Sequence, residues 1–165
     1  MRICVGILIL LAVIANVSNA TKIEPDDLIR FMLKYLEELK FTDDVGKYMK
    51  CVDKSIGDGW EEMVKEIGET KWEDPIQILR AFSAFMQPAL ISIGEMTNCG
   101  REEIEQLCKK IADLLKDEKA FAMKVMQNAD IISQVGQEFI ENWAGKHYEP
   151  AGKVAGAVIF WVFFN

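Results

Sequence analysis

The sequence predicts an all-α protein, a bundle of about six helices, on three observations. Apolar residues recur at three- and four-residue spacing through most of the chain. No run alternates with a period of two for long enough to suggest a sheet. Prolines and paired acids stand where helices should start, at Pro25-Asp26-Asp27, Thr42-Asp43-Asp44 and Pro75.

Taken in order, Met1–Ala20 has the form of a secretory signal: Arg2, an apolar run from Ile3 to Ala15, and small residues at Ser18 and Ala20. Cleavage there would start a mature chain at Thr21 and split the sequon Asn19-Ala20-Thr21. An uncleaved anchor is the competing reading, although the run is shorter than the roughly 20 residues that cross a bilayer. The expected organisation is a signal at 1–20 and one helical domain at 21–165, destined for the secretory pathway or the extracellular space.

The first helix carries Leu28, Ile29, Met32, Leu33, Tyr35, Leu36 and Leu39 at helical spacing. Val45, Tyr48, Met49, Val52 and Ile56 mark the second, which Gly57-Asp58-Gly59 should kink or interrupt before Trp60, Met63, Val64 and Ile67 resume the stripe. A turn at Lys71–Pro75 leads into a long segment containing Ile76, Leu79, Phe82, Phe85 and Met86, where Pro88 and Gly94 predict a bend. Asn98-Cys99-Gly100 reads as a loop, and Arg101–Lys116 as a helix with Ile104, Leu107, Cys108, Ile111, Leu114 and Leu115 on one side. Ala120–Trp143 reads as a single helix, broken at Gly145-Lys146-His147, and Pro150 opens a final segment to Phe164.

The two segments between Cys51 and Cys99 fold back at Lys71–Pro75, with 20 residues on one side and 24 on the other. Antiparallel helices of equal rise would bring these cysteines together. A bridge there would close a 49-residue loop, worth about 4 kcal/mol in the chain-entropy account. With Cys4 lost in the signal, Cys108 is left over, either buried or joined to a second molecule; Cys51 with Cys108 is the other pairing. The order lysine, aromatic, acid, proline occurs at both Lys71–Pro75 and Lys146–Pro150. Aligning Trp72 with Tyr148 also matches Met63 with Phe139, Val64 with Ile140 and Ile67 with Trp143. The echo suggests a duplicated helix pair, or two joints drawing on the same few residue types.

Lys146-x-Tyr148-x-x-x-Gly152-x-x-x-Gly156, preceded by Ala129-Asp130-Ile131, resembles the closing helix of a group of small secreted helical proteins of unassigned function predicted in ciliates. Cys51-Val52, Pro88-Ala89-Leu90 and Cys99 match the group's other pieces, so the similarity covers most of residues 47–160. Cys108 has no counterpart in that pattern. The resemblance implies a helical fold and secretion, and no chemistry.

Loss of Arg2 leaves 18 basic residues against 26 acids, a formal charge of −8. That balance argues against nucleic acid, whose binding rests on neutralising phosphates. His147, the one histidine, lies at a helix boundary beside Lys146 and Tyr148, with no Gly-x-Ser-x-Gly or similar signature for a nucleophile. One histidine and cysteines not spaced as Cys-x-x-Cys supply no metal-ligand set, and Asp53–Asp58 lacks the oxygen ligands of a calcium loop. Acid pairs at Asp43-Asp44, Glu61-Glu62 and Glu102-Glu103 read as solvated helix faces and starts. No catalytic, cofactor-binding or metal residue is therefore assigned.

What remains is surface and cavity. Gly152 and Gly156, with Ala151, Ala155 and Ala157 around them, give a smooth helix face on which another backbone can lie. Beyond it, Phe160, Trp161, Phe163 and Phe164 cover more than one side. Packing within the bundle is the first reading of this helix; the other makes Cys108, Gly152, Gly156, Phe160 and Trp161 a candidate association surface, for a protein partner, a second copy or a membrane surface. The methionines with Phe82, Phe85, Phe121, Phe139 and Trp143 could line an apolar pocket or simply fill a core. The expected function is non-enzymatic protein binding or self-assembly, with a carrier of a lipid or other small apolar molecule as the alternative.

Overall fold

A computed structural model describes residues 22–39, 54–97, 106, 109, 111–113 and 115–164. Six helices run through them: α1 Pro25–Glu38, α2 Lys54–Ile67, α3 Pro75–Thr97, α4 Glu118–Gln127, α5 Ala129–Ala144 and α6 Tyr148–Phe164. Residues 106, 109, 111–113 and 115–116 are helical as well, and no strand occurs among the described residues. The fold is all-α. The expected signal at 1–20, the start of the second helix at Thr42–Asp44, and all four cysteines lie outside the described residues.

α1 starts where Pro25 tolerates a missing donor and Asp26 and Asp27 face the positive end of the helix dipole. It buries Leu28, Phe31, Met32, Tyr35 and Leu36. α6 lies along it with unusual closeness. A β-carbon built on Gly152 would stand 2.1 Å from the Phe31 carbonyl oxygen, and one on Gly156 would stand 2.4 Å from that of Tyr35. The pairs advance together along both helices, so α1 and α6 run parallel with their backbones in contact. Only glycine permits that approach.

α2 and α3 form the expected hairpin. Its turn is tied by Asp74, whose carboxylate accepts from the Ile76 N–H at 2.9 Å and from Gln77 Nε2 at 3.1 Å, and by Lys71 N–H donating to Gln77 Oε1 at 2.9 Å. The bonds from the Ile76 N–H first, and then from the Gln77 side chain, hold the Asp74 carboxyl below its ordinary pKa. Within the hairpin, Trp60 Nε1 donates to Ser92 Oγ at 2.9 Å, both groups buried.

Two sequence expectations fail on this stretch and its continuation. Gly57 and Gly59 do not interrupt α2, and Gly57 lets Ile23 approach. A β-carbon on Gly57 would meet Ile23 Cγ2 at 2.9 Å, and one on Gly59 would meet Pro88 Cβ at 3.7 Å. Ala120–Trp143 is two helices, because the chain turns at Asn128, where Nδ2 donates back to the Lys124 carbonyl at 2.8 Å and the N–H to that of Val125 at 3.1 Å. α3, by contrast, continues through Pro88 to Thr97.

An aromatic cluster from five helices fills the centre. Phe31 meets Trp60 edge-on at 4.9 Å and Trp143 at 5.4 Å; Trp60 meets Phe85 at 5.3 Å; Trp143 meets Tyr148 at 5.3 Å. Such edge-to-face pairs contribute about 0.5–1.5 kcal/mol each beyond area burial. Met63, Val64, Ile67, Phe139, Ile140 and Trp143, the residues matched by the internal echo, are all buried. The joints themselves differ in length, with seven residues between α2 and α3 and three between α5 and α6. The shorter joint turns through Lys146, whose φ of 59° is left-handed.

Candidate functional site

Among the described residues, the places that could meet a partner include an apolar crevice beneath the α2–α3 turn and the far end of α6. The crevice lies among α3, α5 and α6, with walls that include Phe82, Phe85, Val135, Phe139 and Val158. Trp72, half-buried, covers it from the turn. The indole lies directly against Gly136 of α5, where a β-carbon would come within 2.2 Å of the ring. Ser133 Oγ, one turn earlier on α5, donates to the Trp72 carbonyl at 2.9 Å. The remaining free space is about 20 Å³, room for roughly one water. With almost entirely apolar walls, it offers water no adequate set of partners.

This cavity differs from the expected one. Phe82, Phe85 and Phe139 line it, but Phe121 and Trp143 do not, and no methionine does. Phe121 instead stacks on Phe82 at 6.1 Å, joining α4 to the core. Trp143 belongs to the central cluster, and its indole N–H is buried without an acceptor among the described residues.

At the end of α6, the expected association surface divides. Gly152 and Gly156 are buried against α1 and present no face to another chain. That part of the surface is corrected: the backbone lying on the glycines is the chain's own. Phe160 is half-buried and stacks on Phe164 at 5.4 Å. Trp161 is 45% exposed and Phe164 38%. Val158, Ile159 and Val162 point inward, and Phe163 reaches Phe82 at 6.5 Å. Cys108, and Cys51 with Cys99, lie outside the described residues.

Among the titratable groups, His147 is exposed on the α5–α6 turn. Glu61 departs from the expectation of a solvated acid: it is 6% exposed, and its carboxylate accepts from the Ile23 N–H. Its neighbour Glu62 is exposed. Burial, and then the nearby acids Asp27, Glu61 and Glu24, raise the Tyr148 phenol above its ordinary pKa. No group of three His, Cys, Asp or Glu residues that could hold a metal ion occurs among the described residues. One described stretch, Pro75–Glu95, is long and apolar enough to cross a membrane, and half of it is buried in the bundle.

Sequence reasoning missed Trp72, Val135 and Gly136 as a unit. A lone tryptophan among Lys71, Glu73 and Asp74 gives no periodic signal, and Gly136 acquires its meaning only from a ring 64 positions earlier. No protein-family model, curated protein or solved structure matches the chain.

Proposed function

We propose that this is a secreted, non-enzymatic binding protein that acts through protein contacts, with a second copy of the chain as the partner, made by the aromatic end of α6. The observation that carries the reading is the exposure of Trp161 and Phe164 on a helix whose other apolar residues are used by the core. Aromatic side chains of this kind, and tryptophan above all, concentrate the energy of protein interfaces. The acidic balance of the mature chain opposes non-specific self-contact, so association should depend on this apolar spot. Hydrogen exchange at low and high protein concentration tests it. The amides of residues 157–164 should gain protection with concentration in the natural chain and not in a Trp161→Ser/Phe164→Ser variant. Protection that ignores both changes contradicts the reading.

A second reading, a carrier of a small apolar molecule, is favoured by one observation: the almost wholly apolar crevice covered by Trp72. At about 20 Å³ it holds no such ligand as it stands. A carrier would therefore need the cover to move.

A further inference from the structure

We infer that Trp72 is a movable plug in a ligand socket, and that the socket takes an uncharged, flat, apolar molecule of about the size of its own indole. The inference rests on the carrier reading and names the ligand class and the gate of that site.

Three observations support it. The socket is formed for a ring: Gly136 leaves a gap in the surface of α5 that the indole occupies, and any larger residue there would collide with it. The walls around the ring are apolar side chains, Phe82, Phe85, Val135, Phe139 and Val158 among them, so a charged or strongly hydrogen-bonding ligand would lose its hydration without replacement. The backbone carrying Trp72 is held independently of the ring. Ser133 bonds to the Trp72 carbonyl, Asp74 and Gln77 tie the turn, and Asp74 N–H donates to the Lys71 carbonyl at 3.0 Å.

The ring can therefore leave by rotating about its side-chain bonds while the turn stays in place. Trp72 is only partly buried at the mouth, so one edge of the ring already borders solvent. The space vacated is adequate, since an apolar cavity on the order of 150 Å³ binds benzene and an indole is larger than benzene. A ligand entering this way competes with the protein's own indole. Its apparent affinity is reduced by the fraction of molecules in which the plug is out.

Calorimetric titration with indole, a neutral flat molecule of the size the socket should take, tests the plug. The proteins compared are the natural chain, Trp72→Ala, Trp72→Phe as the milder variant, and Trp72→Ala/Val135→Phe, which refills the mouth. Saturable one-to-one binding to the natural chain is expected. It should tighten at least tenfold in Trp72→Ala, tighten less in Trp72→Phe, and be lost in the refilled variant. Trp161→Ser/Phe164→Ser should leave the affinity unchanged, which separates the socket from the end of α6. Binding that is equal in the natural chain and both Trp72 variants overturns the plug while leaving a carrier elsewhere. Binding seen only after Trp72 is removed makes Trp72 a permanent core residue and overturns the inference, and binding to none of the proteins overturns the carrier reading with it.

Discussion

At the scale of single residues, the same amino acid does opposite things in this chain. Gly152 and Gly156 exist to let α6 touch α1, whereas a β-carbon on Gly94 would meet nothing within 4 Å. Gly152→Ala should therefore destabilise by about 3 kcal/mol or more, the upper range for overpacking, because the obstructing atoms are backbone. Gly94→Ala should stabilise by about 0.5–1 kcal/mol, the ordinary gain of replacing glycine in a helix. Urea melts of the two variants beside the natural chain check both signs. Tyr148 sets a second test. Its phenol titrates higher in the fold than in the unfolded chain, where the reference is 10.0. Its contribution is thus fully present below pH 10 and is lost as pH rises through the folded value. Thermal melts across the alkaline range should show the natural chain losing stability faster than Tyr148→Phe; parallel curves would contradict the assignment. Some of these residue roles were legible in the sequence and some were not. That a backbone lies on Gly152 and Gly156 could be read from the small-residue spacing. Which backbone it was could not, since Phe31 and Tyr35 are more than 120 positions away. Glu61 looked like any solvated acid because its partner is a backbone N–H 38 residues earlier.

Among the elements, boundaries set by local chemistry could be read and those set by packing could not. Pro25 with Asp26 and Asp27 announced α1, and the turn at Lys71–Pro75 announced the hairpin, because proline and capping acids act within a few residues. The break at Asn128 was hidden by apolar spacing that carries on across it, from Phe121 and Val125 in α4 to Ile132 in α5. Gly57 and Gly59 were misread for the converse reason: helix propensity disfavours them by about 1 kcal/mol each, yet both lie inside α2, where a β-carbon on Gly57 would crowd Ile23 and Leu28. The hairpin's own polar link offers a prediction at this scale. Ser92→Ala would leave the Trp60 indole N–H buried without its acceptor, at a cost of about 1–3 kcal/mol. Ser92→Thr, which keeps the hydroxyl, should recover part of that loss in the same melts. A Ser92→Ala protein as stable as the natural chain would mean that Trp60 holds the hairpin through packing alone.

For the whole molecule, the all-α architecture followed from periodicity, and the centre was partly visible as well. Tyr35, Trp60, Phe85, Phe139 and Trp143 all stood on apolar stripes and all reach the core; Phe31, at its middle, did not stand out. The crevice was less legible. A pocket depends on where packing stops, and no spacing rule reports that. The account of function rests on the aromatic end of α6, where Trp161 is 45% exposed and Phe164 38%. Multi-angle light scattering across the micromolar range, on a chain of residues 21–165 with and without reductant, tests it most directly. The account predicts a mass that climbs from one chain toward two or more with concentration, in reducing buffer as well as oxidising, and that stays at one chain in Trp161→Ser/Phe164→Ser. A natural chain that remains a monomer throughout, under both conditions, would contradict it.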